Sequence, residues 1–159
     1  MENELATEIW ISVSFSPGVL IDGQAAKVRV ERQLAIEVTM HAQITNYAAI
    51  RRALASVGNC QLAVDDAGAG YKRLNHIPEL RPDFGKLEIS LVRDVDTNAA
   101  RQTMSAGVCH FASQSGTTLI ADGIETEAEV STLRDLGVPL GEGGMFGQEY
   151  DFGRPSALH

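Results

Sequence analysis

Cysteine is scarce. It occurs twice in 159 residues, at Cys60 and Cys109, too seldom for a disulfide scaffold and in keeping with a reducing cytosol. Positive charge is also scarce. Lys plus Arg number 13 against 21 Asp plus Glu, giving a formal net charge of −8, and no Lys/Arg cluster stands out. Neutralisation of phosphates supplies most of the affinity for nucleic-acid polymers, so a polymer of that kind is not an expected partner. A small anionic ligand would need a metal or local arginines. No apolar run approaches the roughly 18 residues of a membrane span. The opening MENELATEIW is acidic and lacks a basic n-region, which argues against a signal peptide. A cytoplasmic protein without a membrane segment is expected. No linker, charge block or low-complexity stretch divides the chain, so residues 1–159 read as one domain.

What is present is ordinary globular composition, with 44% hydrophobic, 21% charged and 6% aromatic residues. A chain of this length buries roughly 70% of its unfolded surface, enough for a core without staples. Short β-rich runs recur at Glu8–Ser14, Leu34–Val38, Gln61–Asp65, Lys86–Ile89, Thr117–Ala121 and, weakly, Val138–Leu140. Their starts lie roughly 20–30 residues apart, the length of one strand, one helix and two loops. Between them, Ile50, Leu54 and Val57 share a helical face ending at Gly58, and Met104, Val108 and Phe111 repeat the spacing. Both stripes are expected to be core contacts. Thr126-Glu127-Ala128-Glu129 reads as a capping box ahead of Val130 and Leu133, with Gly137 ending that helix. The Gly-rich end reads as irregular loop. About six βα units fit, where a closed (βα)₈ barrel needs eight and about 250 residues. The expected fold is α/β: an incomplete TIM-like (βα) barrel or an open parallel sheet. Two unpaired edges would invite a protein partner or a second copy of the chain.

Working residues in parallel βα folds stand at the carboxyl ends of strands. Read in order, those ends carry Ser12-Val13-Ser14, then Glu37 and Thr39, then Asp65-Asp66 followed by Ala67-Gly68-Ala69-Gly70-Tyr71. Next come Lys86 and Glu88, then Asp122-Gly123-Ile124-Glu125, and last Glu142. Converging carboxylates repel one another unless a cation neutralises them. Oxygen-only ligands of this kind suit Mg²⁺ or Mn²⁺. A lysine beside them could stabilise charge developing on a phosphate or polarise a water. Each element alone also has a structural explanation. Asp66 can cap a turn, Lys86 can form a salt bridge, and Asp122 and Glu125 can favour a helix dipole. Glu37 inside an apolar strand is harder to explain structurally, because a buried carboxylate needs a partner.

Other signals are weak. Asp83-Phe84-Gly85 and Asp151-Phe152-Gly153 match a kinase tripeptide without its companion motifs. Gly68-Ala69-Gly70 does not extend into a dinucleotide fingerprint. His41, His76, His110 and His159 lack zinc spacing, and Cys60 and Cys109 read as buried thiols.

The ordered set resembles the EAL domains, bacterial phosphodiesterases that linearise cyclic diguanylate. Ala63-Val64-Asp65-Asp66-Ala67-Gly68-Ala69-Gly70-Tyr71 resembles their DDFGTGYSS segment, and Ile120-Ala121-Asp122-Gly123-Ile124-Glu125-Thr126 their IAEGVET segment. Lys86-Leu87-Glu88 resembles their KxD, Ile36-Glu37-Val38-Thr39-Met40 their ELTE, Gly143-Gly144-Met145-Phe146-Gly147 the closing QGYLFG, and Val13-Ser14-Phe15-Ser16-Pro17 the NxSP strand end. The match runs in order from Ile11 to Pro155. The resemblance implies a two-metal hydrolysis of a phosphodiester. Glu37, Asp65, Asp66 and Glu125 would hold Mg²⁺ or Mn²⁺, Lys86 and Asp122 would be catalytic, and Glu142 would face the ligand; Arg73, by its place just beyond the Gly loop, could contact a phosphate.

The departures matter as much. The Glu-Ala-Leu motif is absent, because the chain begins after its expected place. With it go a metal-binding glutamate and a ligand-contacting arginine. The family's metal-binding asparagine aligns with Ser14, and the second glutamate of ELTE, which steadies a loop, is Met40. The KxD aspartate is Glu88, the first glutamate of EGVE is Asp122, and the closing glutamine is Glu142. Metal sites need every ligand held in close geometry. Ångström-scale misplacement can cost about 10²-fold in rate. The expectation is therefore a truncated, degenerate EAL-like domain, catalytically impaired, serving as a regulatory or protein-interaction module with a weakened hold on cyclic diguanylate. The alternative is an Mg/Mn-dependent phosphodiesterase whose missing strands come from a partner or parent chain.

Overall fold

Six short apolar segments form six parallel strands, which lie side by side in chain order. In the computed structural model, which describes residues 10–23, 33–39, 44, 46–67 and 74–146 with the side chains of Trp10, Ile11, Gln33 and Asp66 left out, the strands are β1 (Trp10–Phe15), β2 (Gln33–Val38), β3 (Cys60–Ala67), β4 (Phe84–Leu87), β5 (Thr118–Ala121) and β6 (Leu140–Gly141). The sheet order is β1-β2-β3-β4-β5-β6. Neighbours are parallel throughout. Among the described residues β1 and β6 do not pair with each other, so the sheet is an unclosed run of a TIM-like barrel.

The register sorts side chains into two faces. Ser14 pairs with Glu37, Glu37 with Ala63, Ala63 with Phe84 and Lys86 with Ile120. One face therefore carries Ser12, Ser14, Ala35, Glu37, Gln61, Ala63 and Lys86. The other carries Leu34, Ile36, Val38, Leu62, Val64, Leu87, Leu119 and Ala121, all buried. The apolar face is covered by helices α1 (Pro17–Ile21), α2 (Tyr47–Val57), α3 (His76–Leu80), α4 (Ile89–Val92), α5 (Ala99–Ser115) and α6 (Glu127–Asp135). Thus α2 packs on β3, and α5 on β4 and β5.

Helix ends follow local chemistry. Ser16 caps α1 ahead of Pro17 at its first position, where a missing N–H costs nothing. Asn46 caps α2, and Gly58 stops it at φ 99°. Asn98 Oδ1 accepts from Ala100 N and Arg101 N to start α5. The capping box of α6 is formed as expected, between Thr126 and Glu129.

Several expectations shift. The fourth strand lies at Phe84–Leu87, so Glu88 and Ile89 begin a helix instead of ending a strand. Asp122 and Glu125 do not open a helix, because α6 starts only at Glu127, and both sit in the loop before it. Along α5 the buried positions are Ser105, Val108 and Ala112. Met104, expected in the core, is 53% exposed. Small residues at 105 and 112 let α5 approach the sheet closely, which turns Met104 outward. Ile50 is fully buried, with Leu54 and Val57 packed at the core's margin.

Candidate functional site

Lys86 stands on β4 with its ammonium among three carboxylates. Its Nζ lies 2.6 Å from Glu142 Oε1, 3.4 Å from Glu37 Oε2 and 3.8 Å from Asp122 Oδ2. These acids come from β2, from the loop after β5 and from the residue after β6, so strand order and register bring them together. Glu37 is 7% exposed. The ammonium and a contact from Ser12 Oγ at 3.4 Å offset the cost of removing its carboxylate from water. Burial by itself lowers the Lys86 pKa. The hydrogen bond and charge of Glu142, then Glu37 and Asp122, outweigh burial and push it above the ordinary 10.5. Lys86 is a fixed cation at neutral pH.

Glu142 is delivered by a loop sewn to its neighbour. Glu142 N donates to Ala121 O at 2.9 Å, Ile124 N to Glu142 O at 3.0 Å, and Met145 N to Ile124 O at 3.0 Å. The backbone of Gly143, at φ 144°, lies against the backbone of Ile124 and Gly123, with no space for a Cβ.

A register shift separates Val64 and Ala67 on β3. Val64 pairs with Gly85 and Ala67 with Leu87, so Asp65 and Asp66 together stand opposite the single Lys86. This is a β-bulge, a device that re-aims side chains beside functional sites. Asp65 is half-buried there. The side chain of Asp66, and all of Arg73, lie outside the described residues.

Glu125 is drawn elsewhere. Its carboxylate pairs with the guanidinium of Arg93, at the end of α4. Its backbone N–H donates to Glu129 Oε2 at 2.9 Å. Glu129 is 3% exposed and also accepts from Thr126 N at 3.1 Å and from Asp94 N at 3.0 Å. One carboxylate thus ties the loop after β5 to the turn after α4. Glu88 is half-buried at the start of α4 without a side-chain cap.

Sequence reasoning missed Ser12 as a neighbour of Glu37, Arg93 as the partner of Glu125, and the reach of Glu129 to Asp94. Each is a contact across elements, and no local spacing announces it. The structure brings together Lys86, Glu37, Asp122 and Glu142, and sets Asp65 beside them at the bulge. It does not bring Glu125 into that cluster. Among the described residues, no three His, Cys, Asp or Glu are placed to hold a metal ion. The described donors do not fit a divalent ion as they stand, because an ammonium already sits between three of them and Glu125 faces a guanidinium. Among the described residues, the mouth offers one fixed cation inside an excess of negative charge.

Comparison with known proteins gives the class. The EAL domain family matches residues 20–149, and the chain belongs to that family. Among its relatives is the cyclic di-GMP phosphodiesterase PdeF of Escherichia coli K12, 28% identical over 126 residues, or 77% of this chain and 17% of PdeF. Another is the cyclic di-GMP phosphodiesterase PA2567 of Pseudomonas aeruginosa, 33% identical over 87 residues, covering 55% of this chain and 15% of that protein. The chain therefore spans under a fifth of these relatives. Klebsiella pneumoniae BlrP1, solved as a manganese/cy-diGMP complex, superposes with a TM-score of 0.73 at 30% identity, over 89% of this chain and 39% of BlrP1. The EAL domain of Mycobacterium smegmatis DcpA shares the fold, with a TM-score of 0.75 at 24% identity over 88% of this chain and 68% of DcpA's. Among the described residues no helix is long and apolar enough to cross a membrane.

Proposed function

We propose that this chain is a catalytically impaired EAL domain, acting in the cytoplasm as a regulatory or protein-interaction module in cyclic diguanylate signalling. The observation that carries the reading is the state of its two most informative acids. Glu37 is paired with Lys86, and Glu125 with Arg93. Protein cations neutralise carboxylates on which a metal-dependent reaction would depend. Ser14 in place of an asparagine ligand supports the same reading. The exposed apolar side chains of Leu140, on β6, and of Met145 and Phe146 just after it, at the outermost strand among the described residues, support the interaction half, with a second copy of the chain or another protein as partner. The test is hydrolysis of cyclic diguanylate with Mg²⁺ or Mn²⁺ supplied. No turnover is expected. A rate that vanishes on Lys86→Ala would overturn the reading.

A second reading draws support from the bulge that sets Asp65 and Asp66 against Lys86, and from the manganese complex of the 30% identical BlrP1. On it, Glu37, Asp65, Asp66 and Glu125 hold Mg²⁺ or Mn²⁺, and Lys86 and Asp122 assist hydrolysis once a partner or a longer parent chain completes the sheet. Arg73 and Glu142 then face the nucleotide. Failure to bind either ion at millimolar concentration would remove this reading.

A further inference from the structure

The three carboxylates around Lys86 are not equivalent. Glu37 lies beneath the ammonium, inside the sheet, with its side chain 10% exposed. Asp122 is the most distant, at 3.8 Å. Glu142 is the closest, at 2.6 Å, and its side chain is 46% exposed. With Asp122, whose side chain is 42% exposed, it flanks the ammonium on the solvent side, and of the two only Glu142 is within hydrogen-bond distance. Its backbone is held by donors and acceptors on Ala121 and Ile124, and the residue after it fits only as glycine. The fold thus fixes the backbone that presents Glu142 to the ammonium.

We propose that Glu142 is an internal competitor for anions, its carboxylate occupying the place on the Lys86 ammonium that a ligand's phosphate oxygen would take. The inference rests on the reading of this mouth as the one that faces a phosphodiester. An approaching phosphate must first displace Glu142. It then meets Glu37, Asp122 and the displaced carboxylate around Lys86, the one cation placed there among the described residues. Replacing Glu142 by glutamine, the residue the EAL pattern carries at that position, removes one negative charge and keeps the shape. Among the described residues the Lys86 ammonium then keeps Glu37 and Asp122 within 4 Å, and the neutral amide left beside it yields to an anion more readily than a carboxylate does. The residue thus sets what the mouth accepts, turning phosphate ligands away without altering the fold.

The experiment is calorimetric titration of the whole chain, wild type against Glu142→Gln and Glu142→Ala, in low-salt, metal-free buffer. Cyclic diguanylate is one probe and inorganic pyrophosphate a separate one. Both variants should bind at least one probe roughly fivefold tighter than wild type, which is what a unit charge about 4 Å away is worth when well screened by water. The gain should shrink as salt is raised. A gain with both probes assigns a general phosphate site, and a gain with cyclic diguanylate alone assigns a nucleotide site. Equal or weaker binding by both variants, or no binding by any of the three proteins, would overturn the proposal. So would a gain in Glu142→Gln that Glu142→Ala lacks, since a new amide hydrogen bond would then be the cause. Turnover by the wild type in the separate hydrolysis assay with Mg²⁺ or Mn²⁺ would overturn the catalytically impaired reading and leave the metal-free affinity ratio to judge this one.

Discussion

The backbone of Gly143 lies flat against the peptide of Ile124, and a Cβ at position 143 would also sit 2.8 Å from the carbonyl carbon of Gly123. Backbone on both sides leaves nothing flexible to yield. Gly143→Ala should therefore open the loop after β6 and cost about 1–3 kcal/mol, a typical charge for forcing a side chain into such a conformation. Thermal unfolding reads the loss. Gly144→Ala, where nothing lies within 4 Å of the added carbon, is the control and should change stability little.

Glu129 predicts a larger effect than its place in a capping box suggests. Its carboxylate serves the N–H groups of Asp94, Glu125 and Thr126. Glu129→Ala leaves all three without that acceptor in a buried position, and a loss of about 2–4 kcal/mol is expected. Hydrogen exchange should quicken at Asp94 as well as at Glu125 and Thr126. A plain helix cap would leave the Asp94 amide unaffected.

Lys86→Met removes the only cation within 4 Å of Glu37 and Glu142 among the described residues. Carboxylates left without a counter-charge in a half-buried site should cost about 2–3 kcal/mol, discounted for water access on the Glu142 side. The pH dependence has a definite sign. The Lys86 pKa is raised on folding, so its stabilisation is fully present below the ordinary 10.5 and is lost as pH rises through the higher folded value. Urea midpoints of wild type and Lys86→Met should therefore differ at pH 7 and converge only in strong alkali.

Tyr47 and His76 join α2 to α3 through a 2.6 Å contact between Tyr47 Oη and His76 Nδ1. Burial lowers the His76 pKa below the ordinary 6.5. Burial, then the charge of Glu79, raises that of Tyr47. With the imidazole neutral, the pair shares one hydrogen bond, Tyr47 Oη–H donating to Nδ1 in one tautomer and Nδ1–H donating to Oη in the other. Because the His76 value is depressed on folding, its contribution is present above 6.5 and is lost as pH falls through the folded value. Wild-type stability should decline on acidification, and Tyr47→Phe should cost about 1 kcal/mol at pH 7.5. A proton NMR titration of His76 that placed its midpoint above 6.5 would contradict this account.

Much of the fold was legible because the chain repeats one pattern. Leu34–Val38 and Thr117–Ala121 are short apolar runs with turn residues at each side, and both are strands to within a residue or two. The capping box at Thr126 and the stop at Gly58 are local signals, and both are where the spacing put them. Met104 misled because helical periodicity gives a stripe without its phase, and the small residues Ser105 and Ala112 let a neighbouring stripe face the sheet. The acids at strand ends were legible for the same topological reason, which brought Glu37, Lys86, Asp122 and Glu142 to one mouth. Arg93 was not, because an arginine near the end of one helix carries no mark of the glutamate it will meet after a later strand. The two thiols are half-buried, and burial pushes the pKa values of both Cys60 and Cys109 up, as expected of packing residues.

The two-against-one stagger at Asp65 and Asp66 also changes how the third strand counts its residues. Before it, even-numbered side chains such as Leu62 and Val64 face the helices; after it, Ala67 does. One aspartate is thus surplus to the ladder. Deleting Asp66 alone would let the strand run on unbroken, with Ala67 still opposite Leu87 and a lone acid facing Lys86. At this point the third strand carries one residue more than its partner, and a bend in the strand takes up the excess.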